Sequence, residues 1–177
     1  MLMELLKKRR SIRQFKNKPV EQDKIDTLVE AALRSPSSRS LNPWEFVVVT
    51  DQQTIAELST SKPHGASFMK NAPLAVVVCA DPEKSDVWIE DCSIATLLLH
   101  LQAADLGLGS CWVQIRRRQH NGKQSAEGYV KKLLNLREDM VVEAIVAIGY
   151  PEEDKSEHPK SSLLYGNVSY NRYGRKK

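Results

Sequence analysis

Three guanidinium groups and a hydroxyl fall within five positions near the start of the chain, in Arg9-Arg10-Ser11-Ile12-Arg13-Gln14-Phe15. Arginine presents five donors in a fixed fork, which matches planar or tetrahedral oxyanions better than the point charge of lysine does. The cluster therefore suits a phosphate or another compact anion. Three further segments bear on what carries that anion. Arg34-Ser35-Pro36-Ser37-Ser38-Arg39-Ser40-Leu41-Asn42-Pro43-Trp44 sets hydroxyls and an amide on a Pro-bounded loop, able to bond a polyol or a heteroaromatic edge. In Gly107-Leu108-Gly109-Ser110-Cys111-Trp112-Val113-Gln114, glycines allow close backbone approach and a strand end can offer amides to a planar ligand. Residues 165–173 contain Arg172, which with Lys160 can return positive charge to the anion. Taken singly, these three also read as a polar surface turn, a helix end leading into a strand, and a solvated tail.

Other chemistries find no support. Cys79, Cys92 and Cys111 are odd in number and widely spaced, so neither a disulfide framework nor a zinc site is indicated. Cys79 and Cys111 border apolar runs and read as small core residues. His64, His100, His120 and His158 lack metal-ligand spacing, and His100, inside an apolar helix, reads as a satisfied buried imidazole. No metal site and no catalytic triad is expected. The Gly107-Leu108-Gly109 pair follows a helix and precedes a strand, the reverse of a dinucleotide-binding fingerprint, and the P-loop pattern is absent.

The bulk of the chain must position these groups. Its 177 residues suffice for one domain burying about 70% of its unfolded surface. An apolar share of 41% with 27% charged residues is ordinary for a globular protein. The net charge of +4 is too small and scattered to demand nucleic acid. No run reaches the roughly 18 apolar residues of a membrane span, and the start has no secretory h-region, so a cytoplasmic location is expected. Apolar periodicity predicts a helix over 21–34, ended by Pro36, and a helix over 125–135. Buried strands are predicted at 46–49, 74–79, 110–115 and 141–148, and Asp51 should cap a helix running to about residue 58. The strongest helix covers about 86–106 and is apolar all round in its second half, so it must be covered on every side. A second subunit is the simplest cover; wrapping by its own chain is the alternative. The last 26 residues are polar, without a long apolar element.

In order, these pieces resemble the nitroreductase-like FMN-dependent oxidoreductases over nearly the whole chain. The resemblance rests on the arginine cluster, Ala31 to Ser38 with Asn42-Pro43-Trp44, Ala72-Pro73 before Val76-Val77-Val78, Asp91 to Leu108 with Ser110 and Trp112, Leu133 to Asp139, and Ile148-Gly149-Tyr150-Pro151. It implies a single α+β domain of three layers, a mixed β-sheet flanked by helices, in an intertwined homodimer with FMN at the interface. Residues 151–177 would be an arm wrapping the partner subunit.

Residue by residue, the resemblance assigns Arg9 and Ser11 to the FMN phosphate and Arg10 to backbone contacts. Arg13 falls at the N1/O2 edge of the flavin, where a cation favours the reduced ring. Pro36, Ser37, Ser38 and Asn42 would come from the other subunit, Trp112, Val113 and Gln114 would face the ring from a strand end, and Arg172 with Lys160 would complete the phosphate site. Residues 64–71 show no match to the additional polar or basic group that several relatives place near the flavin, and the helical insertion of longer relatives is missing. The implied activity is ping-pong hydride transfer from NADH or NADPH to a small electron-poor acceptor, a nitroaromatic, quinone or flavin, with no catalytic side chain. Rivals are a specialised flavin reaction on the same fold, such as reductive dehalogenation or flavin fragmentation, and a nucleic-acid-binding module without enzymatic role.

Overall fold

The computed structural model describes residues 2–176. The chain runs α1 (Leu2–Lys8), α2 (Gln22–Leu33), β1 (Trp44–Val49), α3 (Gln52–Leu58), β2 (Leu74–Ala80), α4 (Trp88–Asp105), β3 (Gly109–Gln114), α5 (Ala126–Leu133) and β4 (Val141–Gly149). Every strand and helix expected from periodicity is present, within a few residues of its predicted bounds. Caps explain two of the starts. The Asp51 carboxylate accepts from the Thr54 backbone N–H at 2.7 Å, and the Ser125 hydroxyl accepts from that of Gly128 at 3.0 Å. Helix α1 is an addition: its short apolar-basic run carried no helix prediction.

The sheet order is β1-β2-β4-β3. All three neighbouring pairs are antiparallel, and parallel pairing among the described residues is confined to an isolated bridge between Ser11 and Ser110. The expected mixed sheet thus takes an antiparallel form, for a topological reason. Strands β2 and β3 point the same way, but the crossover through α4 skips one position. Strand β4 fills that gap, running opposite to both.

Three layers result. On one face, α2 and α4 cover Leu74, Val76, Val78, Val146 and Ile148. On the other, α3 and α5 cover Ala75, Val77, Ile145 and Ala147, together with Ile12 and Phe15 from the segment after α1. Strand β2 is buried at every position, which explains its continuous rather than alternating apolar run. A bulge where β4 meets Val78 and Cys79 leaves Glu143 as the extra residue. All three thiols are free and buried, and burial pushes each above its usual pKa range.

Helix α4 is covered by the sheet, α2 and α1 but keeps one stripe open. Cys92, Ala95, Leu99 and Ala103 pack on the sheet, while Ile94 and Leu97 remain 41% and 48% exposed. After Pro151 the chain forms an arm with only short 3₁₀ turns at Lys160–Ser162 and Tyr165–Asn167. Leu163, Leu164, Tyr165 and Tyr173 on this arm are exposed. Among the described residues no helix is long and apolar enough to cross a membrane.

Candidate functional site

The segment after α1 meets the outer edge of β3, the edge strand, at Ser110 and then crosses to the chain leaving β4. The Ile12 N–H donates to the Ser110 carbonyl at 3.0 Å, and the Phe15–Pro151 bridge holds the far end of the segment. This close approach depends on Gly109. A Cβ built there would stand 2.7 Å from that of Ile12, inside van der Waals contact. Gly109→Ala is therefore expected to lower stability by about 1–3 kcal/mol, the usual cost of overpacking, and to shift the arginine segment off β3. Urea denaturation measures it; an unchanged midpoint would remove this role from Gly109.

The bridge divides the arginine cluster. Arg9 and Arg10 turn to one side, into a pocket of about 200 Å³. Lys8, Lys155, Gly107 to Ser110, Glu153 and Asp154 also line it. Four cations face two carboxylates there, and one of those carboxylates is already engaged. The Glu153 carboxylate accepts from the backbone N–H groups of Arg13 and Gln14 and pairs with Lys155 at 3.1 Å. The Arg13 N–H is the largest influence holding this carboxyl below its ordinary pKa. The pocket is thus left with surplus positive charge, which fits an anion of charge near −2. The Lys155 ammonium also donates to the Ser11 carbonyl at 2.7 Å, and the Arg10 guanidinium donates to the Ser156 carbonyl. Arg13 stands on the other side, 5.8 Å from the centre of the Phe68 ring.

Behind the pocket wall lies His100 of α4, 8% exposed, its Nδ1 2.7 Å from the Ser110 hydroxyl. Burial first, then Arg9, brings the imidazole pKa down to about 4, so it is neutral near pH 7. His100 is the satisfied core histidine expected from the sequence, and it buttresses the pocket lining at Ser110.

The Ser-rich loop lies elsewhere. Its Ser38 N–H donates to Asp91 at the start of α4, at 2.9 Å, whereas the arginine pocket touches Ala104 near the end of that helix. Thirteen residues of α-helix separate the two by about 20 Å. Arg39, Ser40 and Asn42 in this loop have φ of 53°, 55° and 47°. Such left-handed non-glycine residues cost on the order of 1 kcal/mol each and gather at ligand-binding loops. A clasp holds them: the Ser37 hydroxyl is 2.7 Å from Asn42 Oδ1 and accepts from the Asn42 N–H at 3.0 Å.

Trp112, Val113 and Gln114 form the end of β3. The Trp112 indole N–H donates to Gln114 Oε1 at 2.9 Å, and the buried Val113 pairs with Ile145. Beyond Ser110 the outer edge of β3 pairs with no other strand among the described residues; Trp112 and Gln114 are half-buried there, whereas Val113 is fully buried and its backbone is not open to a ligand. The arm residues occupy other places. Lys160 lines a separate groove with Met3, Lys7 and Tyr165, and the Arg172 N–H bonds within the arm to the Tyr170 carbonyl. Lys155 and Asp91 escaped sequence reasoning because no local pattern marks them. Lys155 reaches the pocket only because β4 ends beside β3.

A pocket with surplus positive charge and a strained, hydroxyl-rich loop thus sit on one three-layer scaffold. Residues 6–62 and 52–150 match the model of the nitroreductase family. The chain belongs to that family. A solved structure of an FMN-dependent nitroreductase from Clostridium difficile R20291 superimposes with a TM-score of 0.95 and 46% identity, covering 97% of this chain and 99% of the other. A protein of Archaeoglobus fulgidus provisionally named NADH dehydrogenase/NAD(P)H nitroreductase is 34% identical over 86% of this chain and 87% of its own length. An iodotyrosine deiodinase of Thermotoga neapolitana is 26% identical over 98% of this nitroreductase-family chain and 99% of its own.

Proposed function

We propose that this nitroreductase-family protein is an FMN-dependent oxidoreductase that passes hydride from NADH or NADPH to small electron-poor acceptors, nitroaromatics, quinones or flavins, in ping-pong order. The observation that carries this reading is the placement of two half-sites at opposite ends of α4. A pocket of about 200 Å³ is smaller than the roughly 300–1,000 Å³ of complete small-molecule sites. Two copies paired through the exposed Ile94–Leu97 side of α4, with their arms exchanged, supply each arginine pocket with the partner's strained loop. The C. difficile relative is named for FMN and the A. fulgidus relative for NAD(P)H, which supports both cofactor and donor.

When bound, FMN supplies the hydride-accepting and hydride-donating centre at its ring. The chain binds and tunes it. Arg9 holds the phosphate, with Lys155 adding charge at the same pocket. The resemblance adds Ser11, whose hydroxyl faces the Cys111 thiol and which is not among the pocket's lining residues, and Lys160 and Arg172 from the exchanged arm. Arg10 serves through its backbone, since its guanidinium is occupied by Ser156. Pro36, Ser37, Ser38 and Asn42 of the partner subunit line the ring, and the open edge at Trp112 and Gln114 offers backbone groups to it, with the buried Val113 fixing the strand between them. Arg13 places a cation at the edge where the reduced ring gathers negative charge. No acid–base pair is required of the side chains. NAD(P)H is available in the cytoplasm, which is where this reading places the enzyme.

Arg13→Ala is accordingly expected to lower the two-electron potential of the bound flavin by roughly 20–60 mV, the equivalent of losing one partly screened charge contact. Spectroscopic redox titration against a reference dye measures it, and an unshifted potential would take Arg13 out of this role.

The deiodinase likeness, spanning nearly the whole chain, favours reductive dehalogenation as a second reading. The deciding experiment is a visible spectrum of the purified protein, followed by titration with NADH and NADPH. Flavin absorbance bleached by either, then restored by a nitroaromatic or quinone, is expected. Restoration by an iodophenol alone would favour the second reading, and protein that stays colourless after FMN is added would sink both.

A further inference from the structure

We infer that Asp91 is a positioning residue for the flavin site of the opposite subunit: through Ser38 it fixes the strained loop that each chain presents to its partner. The inference rests on the function proposed above. It begins with a carboxylate only 3% exposed in the first turns of α4. One oxygen accepts from the Ser38 N–H at 2.9 Å, and the other accepts from the hydroxyl of the buried Ser85, also at 2.9 Å. The Ser85 hydroxyl in turn accepts from the Val87 N–H at 3.3 Å. Asp91 thereby joins three segments: the Ser-rich loop, the connection leaving β2, and α4.

Ser38 immediately precedes the left-handed Arg39 and Ser40, and Asn42 follows two residues later. A backbone in this region returns to ordinary conformations unless its surroundings hold it. Beside the backbone bonds from the Ser40 and Leu41 N–H groups to the Ser37 and Ser38 carbonyls, which lie within the loop, three side-chain contacts do so. The Arg39–Asp86 ion pair is exposed, and such pairs contribute little. The clasp between Ser37 and Asn42 lies within the loop and moves with it. Whereas the bond from the Asp81 N–H to the Pro43 carbonyl holds only the loop's end, at 3.0 Å, the Asp91 contact ties the strained part of the loop to a buried point of the scaffold. Its removal should release the loop without deleting any group that touches the ring. Because Asp91 sits about 20 Å along α4 from the arginine pocket of its own chain, the loop it sets serves the other pocket of the dimer.

Mixed dimers separate this role from a general structural one. With Asp91→Ala on one subunit and Arg9→Ala on the other, both lesions fall in one site, and the second site stays whole. Such dimers should bind one FMN with wild-type affinity. With both substitutions on one subunit and a wild-type partner, each site carries one lesion, and both should bind at least about tenfold more weakly. The opposite pattern, or equal behaviour of the two dimers, would overturn the inference. In homodimers, Asp91→Asn keeps an oxygen for the Ser38 N–H and should restore affinity to within about threefold. Asp91→Ala should weaken riboflavin as much as FMN, since the lesion is on the ring side; a loss confined to FMN would count against it. If Asp91→Ala does not fold, Ser85→Ala, which frees one carboxylate oxygen, goes through the same mixed-dimer comparison with the same criterion. Failure of the wild-type protein to bind FMN would defeat the proposed function, whereas normal binding with the reversed pattern defeats this inference alone.

Discussion

Arg9→Ala should weaken FMN binding about ten- to a hundredfold while leaving riboflavin binding unchanged. Arg9 lines the pocket with Arg10 and Lys155, and no carboxylate pairs with its side chain among the described residues. Hydrogen bonds to a charged group are worth about 1.5–3 kcal/mol, which is that range of affinity. Riboflavin lacks the phosphate, so it isolates the arginine's contribution from any change in folding. Arg10→Ala provides a second control. Its guanidinium is held by the Ser156 carbonyl, so its loss should act on the arm more than on the phosphate. The Arg9 contribution should also shrink as salt rises, because screening weakens the contact. Fluorescence quenching titrations of both flavins measure these effects. Equal losses for FMN and riboflavin would mean that Arg9 acts through structure and not through the phosphate.

The sequence made the scaffold legible wherever local chemistry decides it. The all-apolar run at β2 is buried at every position, and the stripe at Ile25, Leu28 and Ala32 packs into the core as a helix should. Asp51 caps α3 as expected. Long-range geometry stayed hidden. That β4 lies between β2 and β3 follows from which apolar faces must meet, and no residue pattern encodes it. The same placement brings Lys155 to the arginines, from a segment more than 140 residues away in the chain. No sequence pattern distinguishes Asp91 from other polar residues in the first part of α4, yet it is nearly sealed from solvent and bonds a strained loop. The arginine cluster was conspicuous in sequence, but its division by the Ser11–Ser110 bridge is a product of the fold.

The outward stripe of α4 leads to the largest expected change of assembly. Leu97 is 48% exposed and Ile94 41% in the isolated chain, so a polar substitution there costs the monomer little; surface changes usually fall within about 0.5 kcal/mol. In a two-fold dimer packed through this helix the same position is buried, and symmetry places each substitution at the interface twice. Leu97→Asp should bury two carboxylates without partners, each costing several kcal/mol. The expected product is a folded monomer, with urea stability near that of the isolated wild-type chain and without bound FMN, because each arginine pocket loses the loop its partner supplied. Light scattering, flavin absorbance and urea denaturation report the three parts separately. A variant that stays dimeric would move the interface away from α4. A folded monomer that still binds FMN tightly would place the whole flavin site within one chain, against the 20 Å of helix that separates its two halves.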